Sequence, residues 1–106
     1  MKKTFYDSLQ NKDIDLVGIG NAIVDILVNV EDKFLDQNNL EKGSMNLITS
    51  DKSKLLLSNC LINKQTSGGS AANTVVCLAE LGDTVHFIGR VKNDQFGDFF
   101  SSDIRK

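Results

Sequence analysis

The sequence contains no proline and no tryptophan, and among its 106 residues there are one tyrosine, one histidine and two cysteines. Cys60 and Cys77 lack the spacing of a metal site, and Cys77 falls inside a patterned helical segment, so both are expected as free, buried thiols. His86 has no carboxylate or second histidine at a telling spacing, and it is expected in a structural or exposed role on a strand. There is little excess charge: 12 Lys and Arg against 14 Asp and Glu give a net charge of -2, which excludes an electrostatic footprint for nucleic acid or an acidic membrane surface. Long apolar runs are missing as well. Those present are only a few residues long, such as Leu55-Leu56-Leu57, too short to span a bilayer, and the basic start Met1-Lys2-Lys3 leads into polar residues rather than a signal-type apolar stretch. A soluble, cytoplasmic protein is expected. A chain of this length builds one small core, and no proline, glycine or polar tail marks a natural end at Lys106, so the sequence reads as a partial domain.

What is present is an alternation of short apolar runs and amphipathic segments. Residues 1–13 are polar and weakly patterned, a frayed leader. Ile14 to Gly20 reads as a buried strand, and Ile23 to Val30 as a second, β-branched run with one charge, Asp25. A short helix is expected from Asp32 to about Asn38, a strand over residues 44–48, and a helix capped by Thr49 or Ser50 that runs toward Cys60. Ile62 to Thr66 reads as a strand feeding Gly68-Gly69. The helix that follows carries Ala72, Val75, Val76 and Ala79 on one stripe, with Gly82 placed for a left-handed C-terminal cap. A strand over Thr84 to Val91 and a helix capped by Asn93 or Asp94, with Phe96, Phe99, Phe100 and Ile104 on its apolar face, complete the pattern. Such alternation favours a parallel sheet covered by helices.

Chemistry concentrates at Ser67-Gly68-Gly69-Ser70-Ala71-Ala72-Asn73. The glycine pair lets a ligand come against the main chain, the helix start offers unpaired amides, and the Asn73 carboxamide both donates and accepts. Asn21 and Asp25 lie past the end of the first strand, where open α/β sheets place ligands, and a carboxylate there suits a pair of adjacent hydroxyls. An aspartate on the solvent face of a strand is the plainer reading of the same position. Two familiar phosphate devices are excluded. Ile23 stands where a dinucleotide fingerprint beginning at Gly18 needs its third glycine, and no Gly-Lys-Ser/Thr follows the Gly68 region. Arg90, Lys92 and Asp94 read as surface or capping residues.

In order, Gly20-Asn21 with Asp25, Lys42-Gly43-Ser44-Met45, Ser67 to Asn73, and Gly89-Arg90-Val91-Lys92-Asn93-Asp94-Gln95-Phe96-Gly97 resemble the amino-terminal part of the ribokinase-like (PfkB) family of sugar and nucleoside kinases. The similarity runs over residues 14–106, and the stretch from Phe34 to Met45 is most similar to the adenosine kinase branch. The resemblance implies a ribokinase-like (Rossmann-like) α/β domain with a parallel sheet, incomplete at its carboxy-terminal end, and a small β lid. Lid strands would fall at about residues 23–30 and 44–48. It implies transfer of the ATP γ-phosphate to a sugar or nucleoside hydroxyl with Mg2+. Asp25, Gly68, Gly69 and Asn73 match the family's substrate-binding residues, with Asn21 as a supporting contact and Asn46 and Ile48 as lid contacts. The family's catalytic aspartate, anion hole and ATP surface have no counterpart here, so no catalytic or metal-binding residue is assigned and the chain alone is expected to be inactive. Dimerisation is expected through the lid or the exposed sheet edge. A noncatalytic nucleoside- or partner-binding module, and a structural remnant, are the alternatives the residues leave open.

Overall fold

The computed structural model describes residues 13–106, so the leader reading, but for its last residue, lies outside the described residues. The elements in chain order are β1 (Leu16–Ile19), β2 (Ile23–Val28), α1 (Asp32–Gln37), α2 (Ser50–Ser58), β3 (Ile62–Gly68), α3 (Ser70–Glu80), β4 (Val85–Ile88) and α4 (Gln95–Asp103). Two compact units result. One comprises the described residues up to Asp25 together with Thr66–Lys106, and the other is Ile26–Gln65.

In the first unit β1 and β4 form a parallel pair with Leu16 opposite Val85 and Ile19 opposite Ile88. Asp15 closes one end of this pair. Its N–H donates to the Thr84 carbonyl at 2.8 Å, while its carboxylate accepts from the Thr84 N–H at 2.9 Å. Helix α3 lies close on the pair because β1 presents glycine beneath it. A Cβ on Gly18 would stand 2.5 Å from Val75 Cγ2, and one on Gly20 would stand 2.7 Å from the Ala71 Cβ. The Gly18-Ile19-Gly20 run is therefore a helix-packing surface. Ala72, Val75 and Phe100 form the buried core, and Phe87 meets Phe100 with ring centroids 5.8 Å apart at 51°. Val76 is half-buried and Ala79 exposed, so the stripe read from the sequence is buried at its amino-terminal end only. The opposite side of the strand pair stays open, with Ile19 74% and Ile88 54% exposed.

Local rules explain the ends of the helices. Gly82, at φ +100°, ends α3 by donating its N–H to the Ala79 carbonyl at 3.0 Å, and Asp83 N–H reaches the Leu78 carbonyl at 3.0 Å. This is the Schellman arrangement, which needs a left-handed residue that glycine adopts without strain. Thr49 caps α2 by accepting from the Lys52 N–H at 3.2 Å, and Asp94 caps α4 by accepting from the Gly97 N–H at 2.9 Å.

The Ile26–Gln65 unit departs from expectation at one segment. Residues 44–48 form no strand. The alternation Ser44-Met45-Asn46-Leu47-Ile48 has the period of a strand, but a strand also needs a hydrogen-bonding partner and a surface to cover its apolar side. Met45 is 89% and Leu47 93% exposed, so neither is covered. What is ordered there is a turn, in which the Ser44 hydroxyl donates to the Glu41 carbonyl at 2.8 Å beside Gly43 at φ +77°. The expectation of two buried thiols is also corrected. Cys60 is half-buried and donates to the Leu56 carbonyl, whereas Cys77 is exposed because it lies off the Ala72–Val75 stripe of α3.

Candidate functional site

Strands β2 and β3 pair, and Asp25 on β2 comes against Gly68 at the end of β3. Asp25 is the third residue of β2, on the face it shares with Ile23 and Leu27, which is the more exposed of the two. Its carboxylate lies directly against the α-carbon of Gly68, the last residue of β3. A Cβ built there would overlap carboxylate oxygen Oδ2 and stand 2.8 Å from Cγ. Only glycine leaves room for the carboxylate at this position. The next residue, Gly69, stands at φ +100° and ψ 141°, and a Cβ on it would come within 2.8 Å of the Asn21 carbonyl oxygen. Both glycines are thus required, Gly68 by close approach and Gly69 by conformation and close approach together.

Gly69 is also the N-cap of α3, and no side chain closes that first turn. The Asn73 N–H bonds the Gly69 carbonyl at 2.8 Å, which places Asn73 one turn into the helix with its side chain exposed. Among the described residues, no side-chain hydrogen bond occupies Asn21, Asp25 or Asn73. The junction therefore holds one carboxylate that only accepts, carboxamides that donate and accept, and the open start of a helix. Among the described residues the Asp25 carboxylate faces the glycine pair, and the Asp103 carboxylate, paired with Lys106, accepts from the Ser67 N–H just before it. Such a set matches neutral hydroxyl groups better than an anion.

Asn46 and Ile48 belong to the Ile26–Gln65 unit. Both line a cavity of about 370 Å³ whose apolar wall includes Leu35, Leu40 and Leu56, and the Asn46 carboxamide donates to the Ser44 hydroxyl at 3.1 Å. The two residues thus share a cavity although their segment is not a strand. His86 is exposed and lines a separate cleft of about 530 Å³ with Phe87, Phe100 and Arg105, away from any carboxylate partner among the described residues.

One residue at the junction escapes the sequence reading. The Asp103 carboxylate accepts the Ser67 N–H at 2.8 Å across 36 positions of chain. The Ser67 N–H and hydroxyl, with a smaller contribution from Lys106, hold the Asp103 carboxyl below the ordinary aspartate value. No local spacing links the end of one helix to the residue before the glycine pair of another element.

Residues 44–106 match the pfkB family carbohydrate kinase. Over 89% of the chain the fold is similar to adenosine kinase from Sinorhizobium meliloti, at 45% identity and a TM-score of 0.69, covering 29% of that chain. Over 87% it is similar to a probable sugar kinase protein from Rhizobium etli CFN 42, at 43% identity and a TM-score of 0.68, covering 28% of that chain. A 36-residue stretch is 56% identical to 5-dehydro-2-deoxygluconokinase of Clostridium beijerinckii, which is 34% of this chain and 11% of that protein. The chain thus spans well under a third of the solved relatives and about a tenth of the curated one.

Proposed function

This chain belongs to the pfkB family of carbohydrate kinases, and on that premise we propose that it supplies the acceptor-holding part of a kinase that phosphorylates a hydroxyl of a neutral sugar or nucleoside. The observation that carries the proposal is the Asp25 carboxylate set against Gly68, beside the uncapped start of α3. Two vicinal hydroxyls donate to Asp25, while Asn73 and the amides of the first turn of α3 meet the remaining oxygens. Asn21 supports the turn through its carbonyl against Gly69. Asn46 and Ile48 are assigned to acceptor contact on family resemblance alone.

ATP with magnesium supplies the phosphoryl group in such a reaction. The donor set at the junction does not fit a triphosphate, since among the described residues it is the Asp25 carboxylate that stands against the glycine pair, and among the same residues no group of three or more His, Cys, Asp or Glu is placed to hold a metal ion. The role of these residues is therefore to bind and orient the acceptor, which is half of what phosphoryl transfer requires. The same negative charge favours a neutral acceptor over an acidic one, because an anion beside Asp25 would be repelled.

Isothermal titration of the 106-residue chain with adenosine, ribose and fructose tests the proposal. Saturable heat with at least one of them is expected, together with no phosphorylation of any acceptor by the same chain when ATP is added. Absence of heat with all three would leave a structural role as the better account. Self-association through the lid or the exposed sheet edge is part of the proposal, and sedimentation velocity is expected to show species larger than the monomer.

A further inference from the structure

We infer that Asp103 is a positioning residue for the acceptor turn, holding the Ser67 N–H and thereby fixing where Gly68 and Gly69 stand; this rests on the acceptor-site reading above.

Three observations lead there. Ser67 immediately precedes Gly68, and the Gly68 α-carbon has no slack against the Asp25 carboxylate, so a small shift of Ser67 closes or opens that contact. The Ser67 N–H does not reach a third strand. Among the described residues β3 pairs with β2 only, and the Asp103 carboxylate takes the place of a ladder acceptor at 2.8 Å. Finally, α4 by itself disfavours an aspartate where Asp103 sits. It is the last residue of the helix, where the carbonyl ends carry partial negative charge and a carboxylate is repelled. Lys106 at 3.6 Å is 79% exposed and offsets little of this. The Ser67 N–H and hydroxyl are what stabilise the carboxylate there, so the interaction belongs to the turn rather than to the helix.

Among the described residues the charged group paired with Asp103 is Lys106 at 3.6 Å, and the Asp25 carboxylate lies against the neighbouring Gly68, so the step is assigned to Asp103 by its loss in Asp103→Asn. The sign follows from the lowered carboxyl. The bond is fully present above the unfolded aspartate value and is lost as pH falls through the lower folded value.

The test uses the isotope-labelled 106-residue chain in solution. The Ser67 amide proton is expected to move in one step on acidification, with a midpoint below that of an ordinary aspartate, and the step is expected to vanish in Asp103→Asn. Gly68 and Gly69 amide signals shift in that variant. Where the unsubstituted chain binds an acceptor, Asp103→Asn weakens binding roughly tenfold, and Asp103→Glu recovers part of the loss. If the chain binds none of adenosine, ribose and fructose while the Ser67 step and the glycine shifts are seen, the acceptor reading fails and the positioning role stands. A Ser67 amide that does not titrate in the unsubstituted chain overturns the positioning role whether or not the variants fold. Unchanged Gly68 and Gly69 signals in Asp103→Asn overturn it too.

Discussion

At Asp94 the helix α4 begins with a carboxylate that accepts the Gly97 N–H at 2.9 Å, whereas α3 begins at Gly69, which has no side chain to offer. Every helix leaves its first amides without internal partners. In α4 the deficit is met locally, and the turn is filled so tightly that a Cβ on Gly97 would overlap the Lys92 carbonyl. In α3 the first turn is left uncapped, and what stands against its glycines is the Asp25 carboxylate and the Asn21 carbonyl. The contrast teaches that the glycine pair does not serve the helix. A capping side chain would serve it better, and the glycines are set instead by the close approach of Asp25 and Asn21 and by the positive φ of Gly69.

The strongest way to break this comparison is Gly68→Ala. Its methyl overlaps the Asp25 carboxylate, and acceptor binding is expected to fall by about a hundredfold or more. The matching control is Gly82→Ala, where φ is +100° but nothing lies within 4 Å. That variant is expected to lose about 1 kcal/mol of stability by strain, with binding unchanged in calorimetry. Next in size is Asp25→Ala, which removes an acceptor of two charge-assisted hydrogen bonds and is expected to weaken binding by roughly ten- to a thousandfold. If this variant binds acceptor as the parent does, Asp25 is only an exposed strand residue. Combined with Gly68→Ala it sharpens the comparison, because removing the carboxylate gives the new methyl room. The thermal midpoint of the double variant should then exceed that of Gly68→Ala alone.

Asn73→Ala is expected to weaken binding less, by about three- to tenfold, since a neutral amide contributes less than a carboxylate. The smallest effect on binding is expected from the capped helix. Asp94→Ala should cost about 0.5–2 kcal/mol of stability in denaturant unfolding and leave acceptor affinity untouched. An affinity loss there as large as that of Asp25→Ala would erase the distinction between the two helix starts.

How much of this was legible in the sequence depended on whether the cause was local. The cap at Asp94, the stop at Gly82 and the buried Ala72–Val75 stripe are set within a turn or two of chain, and each is found where the pattern predicts it. The neighbourhood of Asp25 and Gly68 follows from family resemblance rather than from spacing, since nothing in the residues pairs β2 with β3. Residues 44–48 show the reverse case. Their alternation is genuine, but the partner that would make them a strand is not something a pattern of period two contains. Asp103 was illegible for a related reason, as it meets Ser67 across 36 positions and advertises only an acidic residue at a helix end.

The clasp between Asp15 and Thr84 joins residues 69 positions apart. Closing a flexible loop of that size costs roughly 4 kcal/mol in chain entropy before any contact forms, so parallel pairing of β1 with β4 comes late in folding. The Ile26–Gln65 unit lies wholly inside that loop. When it orders first, the chain left to close is shorter and the search for Thr84 by Asp15 is faster. Prior ordering of the inserted unit would thus lower the entropy cost of joining β1 to β4, the two strands that make up this sheet among the described residues.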